Sequence, residues 1–294
     1  MKPGNTIAPR IAVGYLCHSP KKLPQAHHMA SSRDTDRVTS REYKLMLDHR
    51  LFAIRDEAAA IFGDDLARCT SSIDLVKLKG RFDRISKRQI TFLDTPHNTI
   101  RLNGWVLRQR NSHESDSTEY TLKCRSPDYY LAREVDVAAG EGLHSRVKLE
   151  EDIAAPFAPR YSRSCTVTGT SETPKNLKEA SAIFPVLGDL TRDGLRSHGD
   201  VKLVPTSSVA IFERVLTGPR LKIAGVEAEI ALILWSDQQK RRPLVAEFSF
   251  RYAVPKKAAI GVTAEHAMKL FLAIQRLDWC LTEARTKTQY AYQD

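Results

Sequence analysis

Gly104-Trp105-Val106-Leu107-Arg108-Gln109-Arg110 and Glu119-Tyr120-Thr121-Leu122-Lys123-Cys124-Arg125 are the segments whose reading decides the fold class. In the first, Val106, Arg108 and Arg110 oppose Trp105 and Leu107. In the second, Glu119, Thr121, Lys123 and Arg125 oppose Tyr120, Leu122 and Cys124. Successive side chains of a strand point to opposite sides, so each segment reads as a β-strand with one charged and one apolar face.

The same alternation recurs outward along the chain. In 40–48, Ser40, Glu42, Lys44, Met46 and Asp48 share a face opposite Tyr43, Leu45 and Leu47. Residues 209–216 set Phe212 and Arg214 against Ile211 and Val215. Residues 227–235 set Glu227, Glu229 and Ala231 against Ile230, Leu232 and Leu234, and 244–252 set Glu247, Ser249 and Arg251 against Phe248, Phe250 and Tyr252. This is the pattern of a mostly antiparallel sheet. Helical spacing is confined to 53–67, to 176–187 and to 264–284, where Met268, Phe271, Leu272, Ile274, Leu277 and Leu281 form a stripe behind Thr263 as the expected cap.

A single polar strand face is ordinary solvated surface. Here the faces carry Glu or Asp together with Arg or Lys in strand after strand. A sheet that closes on itself turns such faces into a lumen, with cations for oxyanions and carboxylates for a divalent metal.

The 294 residues are 42% hydrophobic and 27% charged, which excludes disordered and collagen-like classes. The longest apolar run, Ile230 to Trp235, falls far short of the roughly 20 residues that span a bilayer. A net charge of +10 points to an anionic partner. Much of it sits in the first residues, where Lys2, Arg10, Lys21, Lys22 and Arg33 occur with no acid before Asp34; residues 1–38 therefore read as a disordered basic arm preceding one domain over 39–294. The five cysteines are widely spread and form no CxxC or zinc-finger spacing, which fits a reducing, cytoplasmic setting. No P-loop, dinucleotide fingerprint, HExxH or nucleophile elbow is present.

Residues Asp94-Thr95-Pro96 through Gly104 to Leu107-Arg108-Gln109-Arg110 resemble a signature segment of the CYTH, or triphosphate tunnel metalloenzyme, superfamily, with greatest likeness to its bacterial inorganic triphosphatase branch. Further pieces are similar in the family's order. Ser40-Arg41-Glu42-Tyr43-Lys44 stands at the opening Glu-x-Glu-x-Lys, and Tyr120-Thr121-Leu122-Lys123 at the Thr-x-Lys strand. Arg133-Glu134 resembles the next Arg-x-Glu element and Phe212-Glu213-Arg214 the Arg-bearing strand of the second half. Glu229-Ile230-Ala231-Leu232, Val245 to Phe250, and Thr286-Lys287 with Tyr290-Ala291-Tyr292 complete the series.

The resemblance implies an α+β fold built on an eight-stranded, mostly antiparallel β-barrel, the triphosphate tunnel, with helices around it. It implies divalent-metal-dependent hydrolysis of inorganic triphosphate or a related small triphosphate. On these positions Lys44, Arg108, Arg110, Lys123, Arg133, Arg214 and Lys287 would bind substrate, Glu42, Glu134, Glu229 and Glu247 would hold Mg²⁺ or Mn²⁺, and Glu42, Lys44 and Glu247 would carry the chemistry. A nucleotide (adenylate) cyclase is the alternative within the family. Ser40, Ile233 and Ser249 stand where the family has acids, so a weakened catalyst that binds polyphosphate, nucleotide or triphosphorylated RNA is the alternative outside enzymology. Small-molecule triphosphates or polyphosphates are the expected partners of a monomer or homodimer. General nucleic-acid binding is not favoured, since the basic arm lacks interleaved aromatics or an RNP-like motif.

Overall fold

The structure is a computed structural model and describes residues 36–114, 117–169, 172–191, 201–208, 210–237, 243–255, 259–281 and 285–292. Its strands are β1 (Ser40–Leu47), β2 (Val76–Lys79), β3 (Arg84–Asp94), β4 (Trp105–Ser112), β5 (Thr118–Ser126), β6 (Ser145–Ala154), β7 (Ala158–Thr168), β8 (Val204–Pro205), β9 (Ile211–Thr217), β10 (Arg220–Ile223), β11 (Val226–Ser236) and β12 (Val245–Ala253). The helices are α1 (Arg55–Ser71), α2 (Thr99–Leu102), α3 (Tyr129–Glu134), α4 (Leu177–Ile183), α5 (Ile260–Ile274) and α6 (Lys287–Tyr292).

Nine strands close into a barrel in the order β1-β6-β7-β5-β4-β3-β9-β11-β12, with β12 returning to β1. Every pair is antiparallel except β1 with β6, where Ser40, Glu42 and Lys44 lie opposite Glu150, Asp152 and Ala154. The α+β barrel and its mostly antiparallel character are as the sequence implies; the count is nine rather than eight. Outside the ring, β10 pairs with β11 and β2 with β10, and β8 pairs with β3.

The apolar strand faces point outward under helices. Tyr43, Leu45, Phe248, Phe250 and Tyr252 pack with Phe62 and Leu66 of α1 and Leu270 and Phe271 of α5, and Tyr43 stacks on Phe250 with ring centroids 4.6 Å apart. Burial of such side chains contributes about 1.5–3 kcal/mol each. A second outer cluster joins Leu107, Tyr120, Leu122 and Cys165 to Leu177, Ala180 and Phe184 of the α4 region.

Two helical expectations are corrected. The last long helix is Ile260–Ile274, so Leu277 and Leu281 lie beyond it, and Met268 and Leu272 are exposed while His266, Ala267 and Leu270 are buried. Thr263 is inside that helix rather than capping it. Arg133-Glu134, which resembles an Arg-x-Glu element, ends α3, whose start is capped by the Asp128 carboxylate accepting from the Leu131 N–H. Of the expected arm, residues 1–35 lie outside the described residues, while the Asp36 carbonyl accepts from the Tyr129 hydroxyl at 3.0 Å. No described helix is long and apolar enough to cross a membrane.

Candidate functional site

Period-two alternation around a closed ring sends one face of every strand inward. Glu42 and Lys44 enter from β1, Arg108 and Arg110 from β4, Lys123 and Arg125 from β5, Glu150 and Asp152 from β6, Glu213 from β9 and Glu247 from β12, as the cross-strand register fixes.

On the β1–β6–β5 wall the charges are matched. The Lys44 Nζ lies 3.0 Å from Glu42 Oε2 and 2.9 Å from Asp152 Oδ1. Lys123 Nζ is 3.1 Å from Asp152 Oδ2, and Arg125 Nε is 3.5 Å from the same oxygen. Burial opposes ionisation of Asp152, but Lys123, Lys44 and Arg125 outweigh it and hold the carboxyl well below the usual range. Glu42 is likewise lowered, burial being overcome chiefly by Lys44. Lys44 is raised against burial by Asp152 and Glu42. Lys123 goes the other way: burial, together with Arg125 and Lys44, exceeds the help from Asp152 and brings it down to about 8.

On β4 the balance is different. Arg108 and Arg110 form no ion pair among the described residues, and each has a buried Nε without a hydrogen-bond acceptor. Burial and the neighbouring Arg110, Arg88 and Arg125 push Arg108 well below its ordinary range, with Glu213 as the opposing influence. A guanidinium stays charged near neutrality, so this pair sits in a field that an anion would relieve.

Glu213 anchors the next part of the wall. It pairs with Arg88 and accepts from the Trp235 indole N–H at 2.8 Å. Burial raises its carboxyl, but Lys287, Arg110, Arg88 and the indole hydrogen bond prevail and hold it down to about 2. Lys287 of α6 reaches Glu247 at 2.8 Å and lies over the Trp235 ring.

Beyond these charges the lumen turns apolar. Ile90, Phe92, Ile211, Val215, Ile233, Trp235 and Val245 pack with Ala291 and Tyr292 of α6, which closes this end. Asp94 of the Asp94-Thr95-Pro96 segment is part of that closure. Its carboxylate accepts from the N–H groups of Thr95, Ile100 and Arg101 and from the Tyr292 hydroxyl, tying α2 and α6 to the barrel. Gly104, at φ 83°, takes the left-handed turn between α2 and β4 that puts Arg108 and Arg110 in register.

The structure therefore brings together Glu42, Lys44, Arg108, Arg110 and Lys123, with Glu247 and Lys287 paired deeper in the barrel. Arg214 is a correction: Glu213 takes the inward place, so its neighbour turns outward and pairs with Asp56 of α1. Arg133 is a second, lying on α3 beside Glu134 at 3.6 Å. Glu134 and Glu229 are both 77% exposed at the side chain, the latter at the rim with Arg251. The sequence reading missed Arg88, Glu150, Asp152 and Glu213. Alternation of Lys148, Glu150 and Asp152 against Val147, Leu149 and Ile153 could have found β6, but Glu151 interrupts the apolar face. Of the positions lacking family acids, Ser40 donates to Glu150 at 3.0 Å and Ile233 belongs to the apolar end.

The expected metal set Glu42, Glu134, Glu229 and Glu247 does not fit an ion. Two members are exposed, Glu247 is held by Lys287, and among the described residues no three His, Cys, Asp or Glu side chains converge to hold a metal. Glu42 with Asp152 is the remaining carboxylate pair, and the Lys44 ammonium stands between them.

No family profile matches this chain, and no characterised protein matches it in sequence. Solved structures with a similar arrangement include a candidate adenylyl cyclase from Hippeastrum described as having dominant triphosphatase activity, at 11% identity and a TM-score of 0.40 over 87% of this chain and 95% of that one. Candidate adenylate cyclases from Vibrio parahaemolyticus (12%, TM-score 0.36, 86% and 97%) and Bacillus halodurans (13%, 0.38, 86% and 97%) are also similar. Likeness at this level carries no argument about activity, which rests on the lumen itself.

Proposed function

We propose that the lumen captures the triphosphate group of a small compound, either inorganic triphosphate or a nucleotide. The observation that carries this reading is the Arg108–Arg110 pair, inward on one strand, with buried donors that have no acceptor among the described residues. A triphosphate brings about four negative charges near neutrality, and guanidinium forks match its oxygens bidentately. Lys123, lowered to about 8 chiefly by burial, is stabilised in its charged form by an added anion. Arg88 and Arg125 flank this pair, each already beside a carboxylate, Glu213 and Asp152 respectively.

Metal-dependent hydrolysis is the second reading; Glu42 and Asp152, adjacent on β1 and β6, are the two carboxylates that would hold the ion, which requires the Lys44 ammonium now between them to give way. Mg²⁺ is commonly held by one or two carboxylates together with substrate phosphates, so Mg²⁺ or Mn²⁺ at this pair would draw charge from the phosphoryl group. The protein's own part in either case is the same: Arg108 and Arg110 hold the phosphate chain, and Lys123 neutralises it.

The test is calorimetric titration with inorganic triphosphate and ATP in chelator, followed by incubation with Mg²⁺ or Mn²⁺ and separation of phosphate, pyrophosphate and cyclic nucleotide. Tight binding that Arg108→Ala with Arg110→Ala removes supports capture, and metal-dependent phosphate release supports hydrolysis as well. Cyclic nucleotide would assign the cyclase chemistry instead. Failure of both anions to bind at low ionic strength would overturn the proposal.

A further inference from the structure

Outside the nine-strand ring, β10 and β2 extend the sheet from β11 as a short antiparallel ribbon, with β2 as its edge among the described residues. The register sets Lys77 directly opposite Lys222 and Lys79 directly opposite Arg220. The alternate residues Val76, Leu78, Leu221 and Ile223 turn to the other side and join the outer core with α1. All four cations are exposed on the side away from that core.

Like charges placed directly across a ladder destabilise it. Lysine on an edge strand guards against edge-to-edge pairing, which accounts for Lys77 and Lys79. It does not account for Arg220 and Lys222, because β10 has a neighbour on both sides. Among the described residues only Lys222 of the four has a carboxylate partner, Glu227 at 3.0 Å, and both members of that pair are exposed. An exposed pair contributes little, so the β2–β10–β11 ladder presents four cations against one weakly held carboxylate.

We infer that this ribbon docks the phosphate backbone of a nucleic-acid duplex without reading its sequence. Cations two residues apart on one strand lie about 6.6 Å apart, and two nucleotides of a duplex strand rise about 6.8 Å. Contacts of lysine and arginine to phosphate position a duplex and carry no sequence information. The charged face has no aromatic ring on which an unpaired base could stack, so a single strand gains nothing beyond its charge. An anionic lipid surface would meet the same cations, but the apolar residues of β2 and β10 are turned into the core and none on this face enters a bilayer.

The test uses the full chain and short DNA and RNA duplexes of unrelated sequence with 5′-hydroxyl ends, which present no terminal triphosphate to the lumen. Fluorescence anisotropy over a salt series reads the affinity, in the unsubstituted chain and with Arg108→Ala plus Arg110→Ala. Binding is expected in both, equal for unrelated sequences. Each phosphate contact contributes about 0.9 to the slope of log affinity against log salt, so Lys77→Gln with Lys79→Gln should reduce the slope by about 2 and Arg220→Gln by about 1. Lys77→Arg with Lys79→Arg should keep it. The basic N-terminal residues are the same in every variant, so the change in slope belongs to the ribbon. Absence of duplex binding at low salt would overturn the inference. So would a slope that Lys77→Gln with Lys79→Gln leaves unchanged, binding that the two lumen substitutions abolish, or attachment to phosphatidylserine vesicles in place of duplexes.

Discussion

On the β1–β6–β5 side of the lumen, Lys44 and Lys123 hold Asp152 between them at 2.9 and 3.1 Å, whereas on the adjoining β4 Arg108 and Arg110 face inward with no carboxylate bound to them among the described residues. Both regions present charged side chains at the same strand spacing. One has internal counter-ions; the other has, among the described residues, buried guanidinium Nε groups without an acceptor. Charge content alone therefore does not mark a binding site in a polar barrel. The proposed site is where the charges are left unmatched.

Breaking the open side is expected to have the largest effect. Arg108→Ala combined with Arg110→Ala should reduce triphosphate affinity by at least about a hundredfold, two charge-assisted contacts being lost, with no loss of thermal stability because mutual repulsion is removed. Calorimetry and a melting curve read the two results. On the matched side the consequence is reversed. Lys44→Met takes the ion-pair partner from Glu42 while Asp152 keeps Lys123 and Arg125, and should cost about 3 kcal/mol of stability in denaturant unfolding.

A pH series sharpens the contrast. Lys123 is held at about 8, well below an ordinary lysine, so triphosphate affinity should fall as pH rises through 8 and Lys123→Arg should remove that fall. For stability the sign is opposite. Above pH 8 and below about 10.4 the unfolded chain binds the additional proton, so stability should rise with pH across that window. Glu213, held at about 2, contributes stability above its unfolded value, and this is lost as pH falls from about 4.3 toward 2. The smallest expected effect is that of Arg214→Ala on triphosphate binding. It lies outside the barrel, so affinity in the lumen should stay within about twofold, and its exposed partner Asp56 limits the stability change to about 1 kcal/mol or less.

Residues Arg108, Arg110, Lys44 and Lys123 were legible in the sequence because each stands in a clean alternation whose other face is apolar. Glu213 and Arg214 were not. Both are charged, and an alternating pattern cannot say which of two adjacent polar residues turns inward; the opposition of Glu213 to Arg88 and Trp235 on the neighbouring strands decides it. Arg133-Glu134 shows the converse error. The dipeptide resembles the Arg-x-Glu element by composition, but Asp128 starts a helical turn there, and inward carboxylates come from β6.

By itself the sequence determined that this chain forms amphipathic, mostly antiparallel strands with one charged and one apolar face, because side-chain direction along a strand is a local property with a fixed period. Only the tertiary structure decided that the ring has nine members, closed by the parallel β1–β6 pair, and that α6 fills one end. It also decided which carboxylate neutralises which cation. Register and pairing join residues more than 100 positions apart, as Ser40 with Glu150, and no local pattern carries that information.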